Sequence, residues 1–130
     1  MSIRIGLFTI VVDDYDEAIE HYTKALGFEL DKDVDQGDKR WVVVRPPGAE
    51  TGIVLAVASD DQQRAAIGNQ TGGRVGFFLH TNDFVREYAR MQRADVVFLE
   101  TPRNEPYGTV AVFQDKYGNK WDLLEPAGMQ

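Results

Sequence analysis

The sequence predicts an α+β fold in which two tandem βαβββ modules form a curved eight-stranded mixed sheet around a cleft. Three observations predict it. The 130 residues amount to one domain. A strand, a helix and three strands follow one another twice, and the two helix starts, Asp14 and Asp83, are 69 residues apart (83 − 14). We therefore expect a single domain over residues 1–130, with modules at residues 3–58 and 74–126 and a linker at residues 59–73.

The first module begins with a β-branched apolar run at residues 3–12, which predicts a strand buried on both faces. Asp14 followed by Glu17 indicates a helix start, and Gly27 ends the helical pattern. Further strands are predicted at residues 28–32, 40–45 and 51–58. The buried side of the helix is expected to hold Tyr15, Ala18, Ile19, Tyr22 and Leu26.

The second module repeats this order after a polar stretch at residues 60–73, which ends in two glycines and predicts a mobile connection. A strand is predicted at residues 74–80, and Asn82 or Asp83 caps a helix that ends near Ala94. Strands follow at residues 96–99, 109–114 and 120–124, with a loop at residues 102–108. The buried stripe of this helix is expected to comprise Phe84, Val85, Tyr88 and Met91.

Composition limits the kinds of chemistry and partner. The chain has no cysteine, which excludes disulfides, thiolate nucleophiles and cysteine metal sites. Fourteen basic and 21 acidic residues give a net charge of -7, which opposes binding to nucleic acid or to an anionic membrane. No apolar run approaches the ~20 residues that span a bilayer. We expect a soluble, cytoplasmic protein whose partner is a small molecule.

Two stretches carry a resemblance to a known family. The segment IVVDDYDEAIEHYTKALGFEL resembles the opening of the vicinal oxygen chelate superfamily, which includes glyoxalase I, extradiol dioxygenases and bleomycin-resistance proteins. Pro106-Tyr107-Gly108 and the segment FQDKYGNKWDLLEP resemble the closing loop and turn of that family. The resemblance covers essentially the whole chain, and it implies a homodimer.

The resemblance also implies where a divalent metal would be held. The usual ligand positions fall on Leu7, Gly76 and Asp122, and the 69-residue offset from Asp122 gives Ile53 as the fourth. Only Asp122 has a donor side chain, whereas a catalytic ion needs about three protein ligands. We therefore expect no metal cofactor. The alternative is a non-standard site for nickel, zinc, manganese or iron that uses His80 and Asp122.

Candidate ligand-binding residues follow from the alternation of side chains along strands. His80 is either an acid–base group or a histidine at the rim, and Asp122 pairs either with a cationic ligand group or with an arginine. Tyr107 and Trp121 could stack on a planar ligand, with packing as the alternative. The residues expected to line the cleft are Leu7, Thr9, Val11, Gly76, Phe78, His80, Tyr107, Trp121, Asp122 and Leu124.

These observations favour a protein that binds an organic ligand, aromatic or cationic, with a degenerate metal site. The alternative is an enzyme of the same superfamily, a lyase, isomerase or dioxygenase, that uses a non-standard metal or metal-free acid–base chemistry by His80 and Asp122. A regulatory or structural protein with a vestigial cleft is a third interpretation, because a fold does not define a function.

Overall fold

The computed structural model describes residues 2–128, and the chain divides into two compact units, Met1–Ile67 and Gly68–Gln130. The boundary falls inside the predicted linker. The fold is α+β, and its strands form two mixed sheets of four and five strands, each containing a βαβββ motif.

The first unit holds a four-stranded sheet in the order β1-β4-β3-β2, in which β1 and β4 are parallel and the other pairs are antiparallel. Helix α1 continues directly into a π-helical stretch, His21–Ala25. The elements are β1 (Leu7–Val12), α1 (Tyr15–Glu20), β2 (Glu29–Asp35), β3 (Arg40–Arg45), β4 (Gly52–Val57) and α2 (Asp61–Ala66).

Local signals fix the ends of α1 as expected. Asp14 Oδ1 accepts a hydrogen bond from the Glu17 backbone N–H at 2.9 Å, which caps the helix. Gly27 takes the left-handed conformation, with φ of 79°, that ends the helical stretch. Three of the five predicted inward-facing residues, Ala18, Tyr22 and Leu26, are buried, and the other two are half-buried.

Strand β1 differs from the prediction in length and burial. It begins at Leu7, four residues later than predicted, and only one of its faces is covered. Ile10 and Val12 are completely buried, whereas Leu7 is 42% exposed. A sheet whose helices pack on one side leaves every second side chain open, so the apolar run does not mark a strand buried on both faces.

Helix α2 lies within the stretch predicted to be a mobile connection. Asp60 Oδ1 accepts a hydrogen bond from the Gln63 backbone N–H at 2.8 Å, which is the same capping arrangement as at α1. The Asp60–Gln63 spacing was therefore the signal for a short helix, although the segment has no apolar periodicity.

The second unit holds a five-stranded sheet in the order β5-β9-β8-β6, with β5 and β9 parallel and β7 paired to β8. Strand β7 falls in the predicted loop at residues 102–108, and helix α3 has Phe84 and Met91 buried. Val85 is 79% exposed, so its predicted place on the buried stripe is wrong. The elements are β5 (Val75–His80), α3 (Phe84–Arg93), β6 (Val97–Phe98), β7 (Arg103–Glu105), β8 (Gly108–Gln114) and β9 (Lys120–Pro126).

Candidate ligand-binding site

A buried carboxylate sets the orientation of β9. Asp115 is 3% exposed, and its Oδ1 accepts hydrogen bonds from the backbone N–H groups of Tyr117, Gly118 and Asn119 at 3.0–3.1 Å. Its Oδ2 accepts from Asn119 Nδ2 at 3.0 Å and from the indole Nε1 of Trp121 at 3.1 Å. These bonds account for the turn that the sequence predicted before the last strand.

Trp121 is therefore a core residue. Its ring is 3% exposed and packs against Phe77 and Phe113, with ring centroids 4.7 and 5.8 Å away. The structure does not place Trp121 with the other predicted ligand-binding residues. Because neighbouring side chains on a strand point to opposite faces, Asp122 points away from this aromatic core.

Register identifies which residues share the face of Asp122. On β9, Asp122 lies opposite Phe78 of β5 and Val112 of β8, and Leu124 lies opposite His80. Phe78 is 62% exposed although it is a large apolar side chain. We call the surface formed by Phe78, His80, Val112, Lys120, Asp122 and Leu124 the open face of the second unit.

Gly76 departs from the simple alternation. The β5–β9 register shifts between Val75 and Phe77, which makes Gly76 the extra residue of a β-bulge, and Val75 is the residue opposite Lys120. A Cβ placed on Gly76 would lie 2.4 Å from the Thr71 methyl group. A side chain at this position would therefore require Thr71 to move.

Asp122 is the most unusual polar group of the open face. Its Oδ1 is inaccessible to solvent and has no hydrogen-bond partner among residues 2–128. Burial raises the pKa of Asp122, the nearby Arg103 opposes that rise, and Glu100 adds to it. His80 is exposed on the same face but forms no hydrogen bond with Asp122 in the described chain.

Glu100 and Arg103, which the sequence pattern did not single out, complete the surroundings of Asp122. Glu100 Oε1 accepts a hydrogen bond from Arg103 Nε at 2.9 Å, and Oε2 accepts one from the Val112 backbone N–H at 2.8 Å. The Arg103 guanidinium holds the pKa of Glu100 below its usual value. Glu100 thus supplies a hydrogen-bond acceptor to β8 in the gap between its pairing with β6 and its pairing with β7. No local pattern in the sequence predicts this long-range contact.

Tyr107 lies in the turn between β7 and β8 and is 52% exposed. Its backbone carbonyl accepts a hydrogen bond from the Ala127 N–H at 2.8 Å, which holds the turn against the end of β9. The Glu100 carboxylate, and then the Tyr107 hydroxyl, hold the pKa of Arg103 above its usual value. Tyr107 is therefore beside the charged groups that surround Asp122.

In the first unit, Leu7 and Thr9 are exposed and share one face of β1 with the half-buried Val11. Ile53, the predicted fourth ligand position, does not lie on that face, because its side chain is 3% exposed in the core. Val54 is paired with Thr9, and Asp122 is paired with Phe78, which lies 69 residues after Thr9 (78 − 9). Val54 is therefore the register equivalent of Asp122 in the first unit. The offset taken from the helix caps is one residue out here because Asp122 lies 39 residues after Asp83 (122 − 83), whereas Val54 lies 40 residues after Asp14 (54 − 14).

The residues at the family's metal positions do not fit a divalent ion. Leu7, Gly76 and both Ile53 and Val54 offer no side-chain donor, which leaves Asp122 as a single carboxylate. Among residues 2–128, no three His, Asp or Glu side chains come together as a possible ligand set. One carboxylate supplies fewer ligands than the roughly three that a catalytic ion requires.

Comparison with known proteins agrees with this architecture. Residues 4–123 match the family model of the Glyoxalase/Bleomycin resistance protein/Dioxygenase superfamily. An uncharacterized protein of Shewanella frigidimarina (strain NCIMB 400) is 54% identical over 128 residues, which cover 96% of this chain and 95% of that protein. The chain belongs to the glyoxalase/bleomycin-resistance/dioxygenase superfamily.

Two solved structures are similar at 32% identity. The crystal structure of UcmS2 superposes with a TM-score of 0.84 and covers 96% of this chain and 99% of that one. The structure of TnmS3, described as an antibiotic binding protein from Streptomyces sp. CB03234, has a TM-score of 0.79 and covers 98% of this chain and 99% of that one. Within residues 2–128, no helix has the length and apolar character needed to cross a bilayer.

Proposed function

We propose that this protein binds an organic ligand with a planar aromatic part on the open face of the second unit, and that it does so without a metal ion. The observation that carries the proposal is the solvent-exposed ring of Phe78 directly opposite the partly buried carboxyl of Asp122. Small-molecule sites combine apolar and aromatic contact area with a few polar groups that fix orientation. The similarity to a protein described as antibiotic binding supports this function class.

The chemistry of the face suits a ligand that both stacks and hydrogen-bonds. Phe78 offers a ring, Leu124 extends the apolar surface, and Tyr107 lies at the neighbouring turn. Asp122 has an oxygen without a protein partner, and an unsatisfied buried polar atom costs about 1–3 kcal/mol. A ligand group that supplies the missing hydrogen bond would recover part of that cost.

Calorimetric titration with a defined panel tests the proposal. The panel contains proflavine as a planar cation, 2-naphthoate as a planar anion, 2-naphthamide as its neutral counterpart, and bleomycin. At least one member is expected to bind with a dissociation constant below about 1 mM. Phe78→Ala should weaken that binding about five- to tenfold, since an aromatic contact contributes roughly 0.5–1.5 kcal/mol beyond its area.

Val85→Ala is the matched control, because Val85 is an exposed apolar residue on α3 and does not belong to the open face. It should leave the affinity unchanged. The proposal is overturned if no panel member binds, or if Phe78→Ala binds every member as tightly as the unsubstituted protein does.

We also propose that the protein acts in the cytoplasm as a homodimer, which the family resemblance implies. Exposed apolar side chains near the start of the chain, Ile3 at 93% and Ile5 at 70%, support association with a second copy. Light scattering after gel filtration should give twice the 14.6 kDa chain mass. A monomer mass at micromolar concentration would contradict this assembly.

A further inference from the structure

A pocket of about 290 Å³ lies in the second unit, beside the aromatic part of the open face. Its volume is at the lower end of the range for small-molecule sites. None of its lining residues was predicted from the sequence as a site residue. The pocket is lined by Gly73, Val75, Leu99, Glu100, Val112 and Lys120.

Strand geometry explains both the hollow and its position. Strand β6 has only two residues, and the chain leaves the sheet after Leu99, whose N–H still donates to the Val112 carbonyl at 2.8 Å, before β7 begins at Arg103. Val75 lies opposite Lys120, and Val112 lies opposite Asp122, so the floor of the pocket belongs to the same face as Asp122 and Phe78. A ligand stacked on Phe78 can therefore extend one arm into the pocket.

The two charged residues of the pocket wall, Glu100 and Lys120, differ in their partners. The Glu100 carboxylate has protein partners, since it accepts hydrogen bonds from Arg103 and from the Val112 backbone. Lys120 donates to the Gly73 carbonyl at 3.2 Å and forms no ion pair with any residue in the described range 2–128. Its ammonium has three donors, so two remain for a ligand. The other walls, Val75, Leu99 and Val112, are apolar.

Two acidic groups, Glu100 and Asp122, lie beside this pocket. Arg103 pairs with Glu100 at 2.9 Å and also with Glu105 at 3.4 Å, whereas Lys120 has no carboxylate partner within residues 2–128. We infer that this pocket binds the anionic group of the ligand, a carboxylate or a group of similar charge, through Lys120, with an apolar stem against Val75, Leu99 and Val112. The inference rests on the proposed function and narrows its ligand class to organic anions.

The test compares 2-naphthoate with 2-naphthamide, which have the same rings but differ in charge. The unsubstituted protein should bind the carboxylate about tenfold more tightly, because a charge-assisted hydrogen bond contributes about 1.5 kcal/mol. Lys120→Met should abolish the difference between the two probes, and Lys120→Gln should do the same. Lys39→Met, at an exposed lysine of the first unit, is the matched control and should retain the tenfold preference.

A second variant tests whether binding requires the volume of the pocket in addition to the charge of Lys120. Val75→Phe keeps Lys120 but fills the hollow, so it should weaken naphthoate binding about tenfold. Equal affinity for the two probes, or a preference that survives Lys120→Met, overturns the inference but leaves aromatic binding on the open face intact. If the unsubstituted protein binds none of the four compounds in the panel, by contrast, the proposed function and the inference are both wrong.

Discussion

The indole Nε1 of Trp121 donates a hydrogen bond to Asp115 Oδ2 at 3.1 Å, six residues earlier in the chain. This bond fixes which way β9 faces. With Trp121 held in the core, Asp122 points to the open face beside Phe78. A strand that slipped by one residue would exchange these two positions, which would bury a carboxylate and expose the tryptophan.

Removing the carboxylate that holds this turn should destabilise the protein. Asp115→Ala leaves several buried donors without an acceptor, and we expect a loss of about 3 kcal/mol in the free energy of unfolding. Urea denaturation followed by tryptophan fluorescence measures it. Asp13→Ala, at an exposed aspartate, is the control and should change the free energy by less than about 0.5 kcal/mol. Equal stability of the two variants would contradict this role for Asp115.

Two glycines in the predicted linker should respond very differently to alanine. Gly68 and Gly72 have nearly the same left-handed conformation, with φ of 73° and 72°. A Cβ on Gly68 would lie 2.0 Å from the Tyr117 carbonyl oxygen, whereas a Cβ on Gly72 meets nothing within 4 Å. Gly72→Ala should cost about 1–2 kcal/mol for its backbone conformation alone. Gly68→Ala should cost clearly more, as thermal melting of both variants will show; similar melting points would refute the close approach.

Asp122 should reduce stability at neutral pH. Its pKa is raised in the folded state, so the unfolded chain ionises first as pH increases, and folding becomes less favourable above the unfolded pKa of about 3.9. The penalty is complete above the folded pKa and absent below the unfolded one. Asp122→Asn should therefore raise the melting temperature at pH 7 and give no gain at pH 3. A gain of the same size at both pH values would show that charge is not the cause.

Divalent metals should not stabilise the protein. Asp122 is the only donor at the four family positions once Val54 replaces Ile53 as the register equivalent. Nickel, zinc, manganese and iron(II) should leave the melting temperature unchanged, since only binding to the folded state raises it. Elemental analysis of protein purified without an affinity tag is the companion measurement. Near-stoichiometric metal together with a higher melting temperature would contradict the conclusion that these residues do not fit a divalent ion, and His80 would then be the first ligand to test.

Local signals explain what the sequence could predict. The caps at Asp14 and Asp83 and the left-handed Gly27 act within a few residues, so the helix ends follow from the chain itself. Alternation along β9 likewise gives the face of Asp122. The fold and the resemblance to the family could therefore be predicted from short-range features of the sequence.

Features that depend on distant pairing were missed. The bulge at Gly76 interrupts alternation in β5, and it becomes visible only against β9. Trp121 was expected either to stack on a ligand or to pack, and it lies in the core because its ring packs against Phe77 and Phe113. Glu100 joins the site by filling a gap between two strands that pair with β8. Tertiary contacts decide each of these positions.

The most direct test of the central claim is to map where a planar ligand binds. Amide chemical shifts of ¹⁵N-labelled protein should be followed during titration with 2-naphthoate and, separately, with proflavine. Binding on the open face predicts the largest changes at Phe78, Val112 and Asp122, with little change at Val85 on α3. Changes centred on α3, or no changes with either compound at millimolar concentration, would contradict the account.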